Sequence, residues 1–119
     1  MSQPPITIEA RRYNNRTGVI LEAGATYELT AEGRWRDASI ECGPDGHDAP
    51  KLRWLRWTRR SRPNLWFALM GTVAGKRFLI GSKTTVTIEK TGELVCFAND
   101  APVMYWNNSG AVTLTIRRV

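Results

Sequence analysis

Apolar and polar residues alternate with a period of two in several short segments of the chain, and the pattern of a long amphipathic helix does not occur. The clearest alternating segments are 6–10, 27–31 with a continuation towards Trp35, 85–89 and 112–117. Successive side chains of a β-strand point to opposite faces, so each segment predicts a strand with one face in the core and one in water. Two more uniformly apolar segments, 66–73 and 93–97, are typical of central strands that are covered on both faces.

Turn-forming residues separate these segments, at 23–24, 43–46, 74–76, 81–83, 90–92 and 107–110. About seven to nine short strands at this spacing predict an all-β fold, an antiparallel β-sandwich or jelly roll, whose first and last strands pair at one edge. A length of 119 residues fits a single domain over 1–119. The least strand-like stretch is 41–64, and we expect a long loop there, of the kind that often carries function.

Charge is unbalanced, with 17 Lys and Arg against 11 Asp and Glu, a formal net charge of +6 and a pI of about 9.9. This excess favours anionic neighbours such as nucleic acid, lipid headgroups or acidic glycans, and it also keeps a small protein soluble. No apolar run approaches the ~20 residues of a membrane span, and residues 1–5 lack the regions of a secretory signal peptide. We therefore expect a protein that is cytoplasmic as synthesised, with non-classical export left open.

Residues with soft metal ligands or catalytic chemistry are few. Cys42 and Cys96 are the two cysteines, and His47 is the one histidine. Without a secretory signal we expect two reduced, partly buried thiols, and a dedicated zinc site is disfavoured. The sequence has no Gly-x-Ser-x-Gly motif, no phosphate-binding glycine loop and no paired histidine ligands. We therefore predict that the protein is not an enzyme.

Hard oxygen ligands cluster near the C-terminus, in the segment 99–110 between two predicted strands. Asp100, Asn107 and Asn108 can supply such oxygens, and Ca²⁺ takes about six to eight from carboxylates, amides, backbone carbonyls and water. The low charge of this set would leave the ion open positions for the neutral hydroxyls of a sugar. Asn-Asn-Ser-Gly is equally good turn chemistry, so residue types alone leave a calcium loop and a plain β-turn both open.

The pattern N-D-x-P-x-x-Y-x-N-N-S-G at 99–110, followed by an alternating strand, resembles the calcium loop of the bacterial galactophilic lectin family, the PA-I type. Weaker likeness extends over most of the chain, at 31–35, 43–46, 68–70 and 78–81. The resemblance implies a galactose-binding-domain-like β-sandwich with its calcium loop before the last strand. It also implies one calcium ion per chain, and a carbohydrate of the galactose type bound through two ring hydroxyls on the ion.

Site residues follow from this resemblance position by position. The resemblance implies that Asp100 is the carboxylate ligand of the ion and that Asn107 and Asn108 supply side-chain oxygens. It also implies that Asp100 and Asn107 contact the sugar. Met104 falls where the family uses a backbone carbonyl. Asp37 falls near the position whose carbonyl completes the shell, and an Asp there could ligate through its carboxylate instead.

Two positions depart from the family pattern. Trp106 replaces a small residue that is usual in the loop, and it can either stack on the apolar face of a sugar or pack against a neighbouring loop. The family's sugar-contacting His and Gln lie in a loop that does not align here. His47 is roughly in place, either as a sugar contact or as a surface residue in a turn. The preferred sugar therefore stays open.

The segment 51–62 interleaves Arg with Trp and holds six of the 17 basic residues in twelve positions. This chemistry suits phosphates, stacked bases or a membrane interface. It also suits an ordinary hairpin with Leu52 and Trp54 inward and the arginines outward, or a cationic loop beside the sugar site. A cationic binder of nucleic acid or anionic surfaces is therefore an alternative function, and a non-catalytic structural or assembly module, including a homo-oligomer, is another.

Overall fold

A computed structural model describes residues 4–48 and 57–119 of the protein. Within these ranges the chain forms ten strands and a short 3₁₀ turn, Tyr105–Asn107. The strands are β1 (Ile6–Glu9), β2 (Asn15–Leu21), β3 (Thr26–Asp37), β4 (Ile40–Cys42), β5 (Asp45–His47), β6 (Trp66–Val73), β7 (Lys76–Leu79), β8 (Lys83–Thr87), β9 (Gly92–Ala98) and β10 (Asn108–Arg118). No helix in the described part of the chain is long and apolar enough to cross a membrane.

The strands form two five-stranded sheets in which the assigned pairs are antiparallel. The first sheet has the order β1-β10-β3-β4, with β8 also beside β3, and the second has the order β2-β9-β6-β5, with β7 also beside β6. The predicted all-β antiparallel sandwich is confirmed, as is the pairing of the first and last strands. The three-residue strands β4 and β5 bring the number in residues 4–48 and 57–119 to ten.

The two faces of the second sheet explain the uniformly apolar segments. Phe67, Leu69 and Leu94 belong to the core cluster between the sheets. Trp66 and Phe97 are buried outside that cluster, beneath the side chains of Arg59 and Arg60, whose guanidinium groups stack over the two rings. The strands β6 and β9 are therefore central and covered on both faces, as predicted.

Four strands, β2, β4, β5 and β7, lie where the sequence pattern predicted no strand. In β2 a bulge shifts the register between Arg16 and Ile20, around Gly18 at a φ of +75°. Burial alternates along this strand, but the buried Asn15 is polar and the exposed Ile20 is apolar, so the sequence shows no amphipathic alternation.

The turn predicted at 43–46 is present, since the amide of Gly46 donates to the carbonyl of Gly43 over 3.1 Å, and the unpredicted strand β5 begins within it. Gly46 has a φ of +82°, and a Cβ there would lie 2.3 Å from the carbonyl oxygen of Trp66. The close approach of β6 therefore requires glycine at this position.

The pairing of β3 with β10 positions one end of the sandwich. It runs continuously from Tyr27 opposite Arg118 to Asp37 opposite Asn108. At the second of these ends, β3 brings Asp37 and β10 brings Asn108 into register, although they are far apart in the sequence. Both side chains are buried. Cys42 and Cys96 are also buried, and both are free thiols, with burial raising the pKa of Cys96 to about 12.

Candidate functional site

The candidate site lies in the loop between β9 and β10. Asn99 and Asp100 directly follow β9, and Asn107 and Asn108 lie at the end of the 3₁₀ turn and the start of β10. Inside the loop, the amide of Met104 donates to the carbonyl of Ala101 over 3.0 Å. These short-range bonds fold the loop back, so that the oxygen-bearing residues predicted from the sequence share one end of the sandwich.

Three side-chain oxygens in this loop are buried without a hydrogen-bond donor: Oδ2 of Asp100, Oδ1 of Asn107 and Oδ1 of Asn108. The rest of two of these side chains is held in place. Oδ1 of Asp100 accepts a 2.7 Å bond from the amide of Ala101, and Nδ2 of Asn108 donates to the carbonyl of Ala10 over 3.2 Å. Buried polar atoms nearly always have a partner, so three acceptors without one in a single loop form a group of oxygens that could hold a cation.

The electrostatics around Asp100 point the same way. Burial and the nearby charge of Asp37 raise the pKa of the Asp100 carboxyl to about 6. A carboxylate in this position is destabilised by lost hydration and by its like-charged neighbour, and a bound cation would relieve both. Asp37 itself lies beside His47, whose Nε2 is 3.3 Å from Oδ2 of Asp37. The site end therefore combines two carboxylates, one imidazole and two amide side chains.

These residues fit calcium better than a softer metal. Hard carboxylate and amide oxygens are the ligands that Ca²⁺ prefers. Within residues 4–48 and 57–119, no three His, Cys, Asp or Glu side chains come together as a cage, so amide and carbonyl oxygens would have to supply much of the shell. The orphaned oxygens of Asp100, Asn107 and Asn108 are available for this purpose, and Asp37 lies within electrostatic range.

The other predicted site residues, Met104, Trp106 and His47, lie near these oxygens and differ in their exposure to solvent. The carbonyl of Met104 accepts a long, 3.4 Å bond from the amide of Asn107. Trp106 is 67% exposed and immediately precedes Asn107. His47 is in contact with Asp37, not free at the surface, and its ring centroid lies 6.2 Å from that of Phe67. The structure thus brings Met104, Trp106 and His47 to the same end as the orphaned oxygens.

Two of the three non-glycine residues with a positive φ in the described ranges contact this loop; the third, Ala74, lies in the turn between β6 and β7. Ala38 and Phe67 have positive φ values of 54° and 61°, a conformation that is costly for a residue with a side chain. Both are tied to the loop, because the amide of Ala38 donates to the carbonyl of Asn107 and the amide of Phe67 donates to the carbonyl of Asn99, over 3.2 Å and 2.8 Å. Strain of this kind tends to persist where the surrounding structure supports a function.

Asn99 is a structural residue of the site that the sequence analysis gave no role. It is fully buried. Its Oδ1 accepts from the amide of Ser61 over 2.7 Å, and its Nδ2 donates to the carbonyls of Ser61 and Leu65 over 2.9 Å and 3.0 Å. One side chain thereby fastens the segment after residue 57 to the start of the loop. An Asn-Asp pair directly after an apolar strand was the sequence signal for it.

The basic segment is partly described. Residues 51–56, with Lys51, Arg53, Arg56 and the predicted inward Leu52 and Trp54, lie outside the described residues. Arg59 is buried over the Trp66 ring and donates to the carbonyl of Arg62 over 2.7 Å, and Arg60 stacks on Phe97. The side chains of these two arginines therefore pack against the protein, Arg59 buried and Arg60 partly buried. Nucleic-acid or anionic-surface binding through 51–62 stays a prediction.

Comparison with known proteins identifies the fold. No protein-family model matches the sequence, and no curated protein matches it. Among solved structures, the chain is similar to the EclA N-terminal domain, described as a PllA-like lectin, with 20% sequence identity and a TM-score of 0.77 over 97% of this chain and 95% of that chain. The chain therefore has a PA-I-like lectin fold, as the resemblance in the segment 99–110 implied.

Proposed function

We propose that the protein is a calcium-dependent carbohydrate-binding protein whose ion is held by Asp100, Asn107 and Asn108. The observation that carries the proposal is the set of three buried side-chain oxygens without a donor in one loop. The similar structure is described as a lectin, which supports sugar as the ligand class. Asp37 adds a second negative charge near Asp100, and its backbone or carboxylate would contribute to the shell.

Each residue has a distinct part in this function. Calcium would supply a Lewis-acidic centre with open coordination positions for vicinal sugar hydroxyls. Asp100 would supply the charge, while Asn107 and Asn108 would orient neutral oxygens and leave net positive character on the ion. Trp106, which is 67% exposed beside Asn107, would cover the apolar face of the sugar ring. His47 would act through Asp37, because its Nε2 already contacts that carboxylate.

The test compares calcium with chelator in the intact chain. Calcium that binds only the folded state must raise the unfolding midpoint, so wild type should shift upward at millimolar CaCl₂ relative to EGTA. Asp100→Asn should abolish the shift, whereas the control Glu89→Gln, an exposed carboxylate paired with Lys76, should keep it. A glycan array with and without calcium then identifies the sugar. No calcium shift in wild type, or array binding that ignores EGTA, contradicts the proposal.

A further inference from the structure

Arg60 belongs to the basic segment, yet its side chain is enclosed by aromatic rings. The guanidinium carbon lies 3.8 Å from the ring centroid of Tyr13 and 3.5 Å from that of Phe97. A third ring, Tyr105, is 5.7 Å away. A cation between two ring faces gains from both, and more so where water is excluded. This arginine is therefore packed between aromatic rings, at a position that is partly buried.

The two terminal nitrogens of the Arg60 guanidinium donate hydrogen bonds to different parts of the protein. Its Nη2 donates to Oδ1 of Asn14 over 2.8 Å. Its Nη1 donates to the carbonyl of Tyr13 and to the hydroxyl of Tyr105, the latter over 3.2 Å. Arginine can make such a set from one rigid group, whereas the point charge of lysine cannot reach all of these acceptors at once. The position thus calls for arginine specifically.

Both ends of the oxygen-bearing loop are tied to this residue. At the start of the loop, the backbone amide of Arg60 donates to the carbonyl of Asp100 over 3.0 Å. At the far end, its Nη1 contacts the hydroxyl of Tyr105, and that hydroxyl donates to the carbonyl of Ala98. Tyr105 opens the 3₁₀ turn that ends at Asn107. The backbone of Arg60 thus contacts the start of the loop, while its side chain contacts the first residue of the 3₁₀ turn.

We propose that Arg60 is a positioning residue of the loop, one that sets the metal-free geometry of Asp100, Asn107 and Asn108 for the incoming cation. The part of this inference that concerns calcium rests on the proposed function. The ordering of the metal-free loop does not, because it follows from contacts that the protein makes by itself. Loss of groups that orient metal ligands typically weakens metal binding by about 10–100-fold, and we expect Arg60→Lys to fall in that range.

The experiment uses the intact chain with two matched variants, Arg60→Lys and Arg62→Lys. Arg62 is exposed in the same segment, so the second variant makes the same chemical change without touching the loop. In metal-free protein, amide hydrogen exchange is measured for Met104 and Asn107, whose amides are bonded within the loop. Calcium affinity is then measured by titration calorimetry with CaCl₂.

Arg60→Lys should raise exchange at Met104 and Asn107 by at least about tenfold, leave the β3–β10 amides unchanged, and weaken calcium binding by about 10–100-fold. Arg62→Lys should change neither quantity. Wild-type loop protection in Arg60→Lys overturns the inference, whether or not calcium binds. If wild type binds no calcium, the proposed function fails while the exchange result still decides the role of Arg60.

A second variant covers the outcome in which Arg60→Lys does not fold. Tyr105→Phe removes only the hydroxyl that joins Arg60 Nη1 to the Ala98 carbonyl. It should give the same loop-limited rise in exchange and a smaller loss of calcium affinity. Unchanged exchange at Met104 and Asn107 in Tyr105→Phe would contradict the proposal, because the hydrogen bond from the Arg60 side chain to the 3₁₀ turn would then have no effect.

Discussion

Asp37 of β3 stands directly opposite Asn108 of β10, at the last register position of the longest strand pair in the described structure. Both are buried, and the charge of Asp37 acts on Asp100 in the neighbouring loop. The register of the sheet thus places one carboxylate and one amide beside the loop that carries the other candidate ligand oxygens. The candidate site therefore depends on the β3–β10 pairing as well as on the loop between β9 and β10.

The metal-free protein should lose stability as pH rises through the range set by Asp100. Its pKa is raised from 3.8 to about 6 in the folded state, so the folded state binds this proton more tightly than the unfolded chain does. The stability from that proton is fully present below the unfolded pKa and is lost as pH rises through about 6. The loss is on the order of 3 kcal/mol.

Urea unfolding of wild type and Asp100→Asn in EGTA, between pH 4 and 7.5, checks this prediction. The stability difference between them should move in favour of Asp100→Asn as pH rises, since the amide carries no charge to bury. Calcium should reverse the trend in wild type, because the ion must compete with the proton and wins as pH increases. A pH-independent difference between the two proteins would contradict the assignment.

Trp106→Ala should weaken sugar binding and leave calcium binding intact. Its side chain is 67% exposed next to Asn107, so it can reach a ligand without supporting the loop. An aromatic face on a sugar is expected to contribute about 1 kcal/mol, or roughly fivefold in affinity. Trp57→Ala, at 63% exposure, is the matched control. Titration calorimetry first with calcium and then with the sugar selected on the array measures the two affinities separately. An equal loss of sugar affinity in Trp106→Ala and Trp57→Ala would argue against stacking.

Gly46→Ala should destabilise the fold more than Gly75→Ala does. Both glycines have positive φ, +82° and +81°, but a Cβ at Gly46 would lie 2.3 Å from the Trp66 carbonyl oxygen, whereas Gly75 has nothing within 4 Å. The Gly75 variant therefore measures the backbone cost alone, about 1–2 kcal/mol. Gly46→Ala adds displacement of β5 from β6 and should exceed it by at least about 1 kcal/mol in urea unfolding. Equal losses would show that β5 can move away freely.

Asn99→Ala should cost about 2–4 kcal/mol, because it leaves a buried amide and several carbonyls without partners. Its contacts reach Ser61 and Leu65, so the loss should free the segment after residue 57 from the loop. Asn64→Ala is the control, since Asn64 is only partly buried and its Nδ2 donates to Oγ of Ser61 alone. Chemical denaturation and limited proteolysis report stability and segment release, and a loss no larger than that of Asn64→Ala would refute this role.

The sequence predicted those features whose pattern is local, such as a strand that is apolar on both faces. Uniform apolarity predicted the central strands β6 and β9 because each is buried on both faces. The prediction could not include what covers the outer face, since an arginine such as Arg60 packed on Phe97 has the same sequence signature as one in water. The strand β5 was missed for a related reason, because Gly46 signals a turn locally and only its pairing with β6 makes it a strand.

The candidate site shows the same division. Asp100, Asn107 and Asn108 were predicted because they lie within one loop, and their orphaned oxygens are visible only in the folded structure. The register that sets Asp37 against Asn108 depends on the whole β3–β10 pairing. Asn99 received no role, because its partners around Ser61 come from a distant segment with no periodic pattern.

The bulge in β2 has a consequence for how molecules of this protein meet each other. In the described sheets β2 is the outer strand next to β9, and such an edge invites pairing with a second chain. The register shift around Gly18 interrupts its row of hydrogen-bonding groups, and the carboxylate of Glu93 already accepts the Gly18 amide over 2.9 Å. Edge-to-edge growth into fibrils is thereby discouraged on this side, and a self-assembly that uses continuous sheets would have to start from another strand.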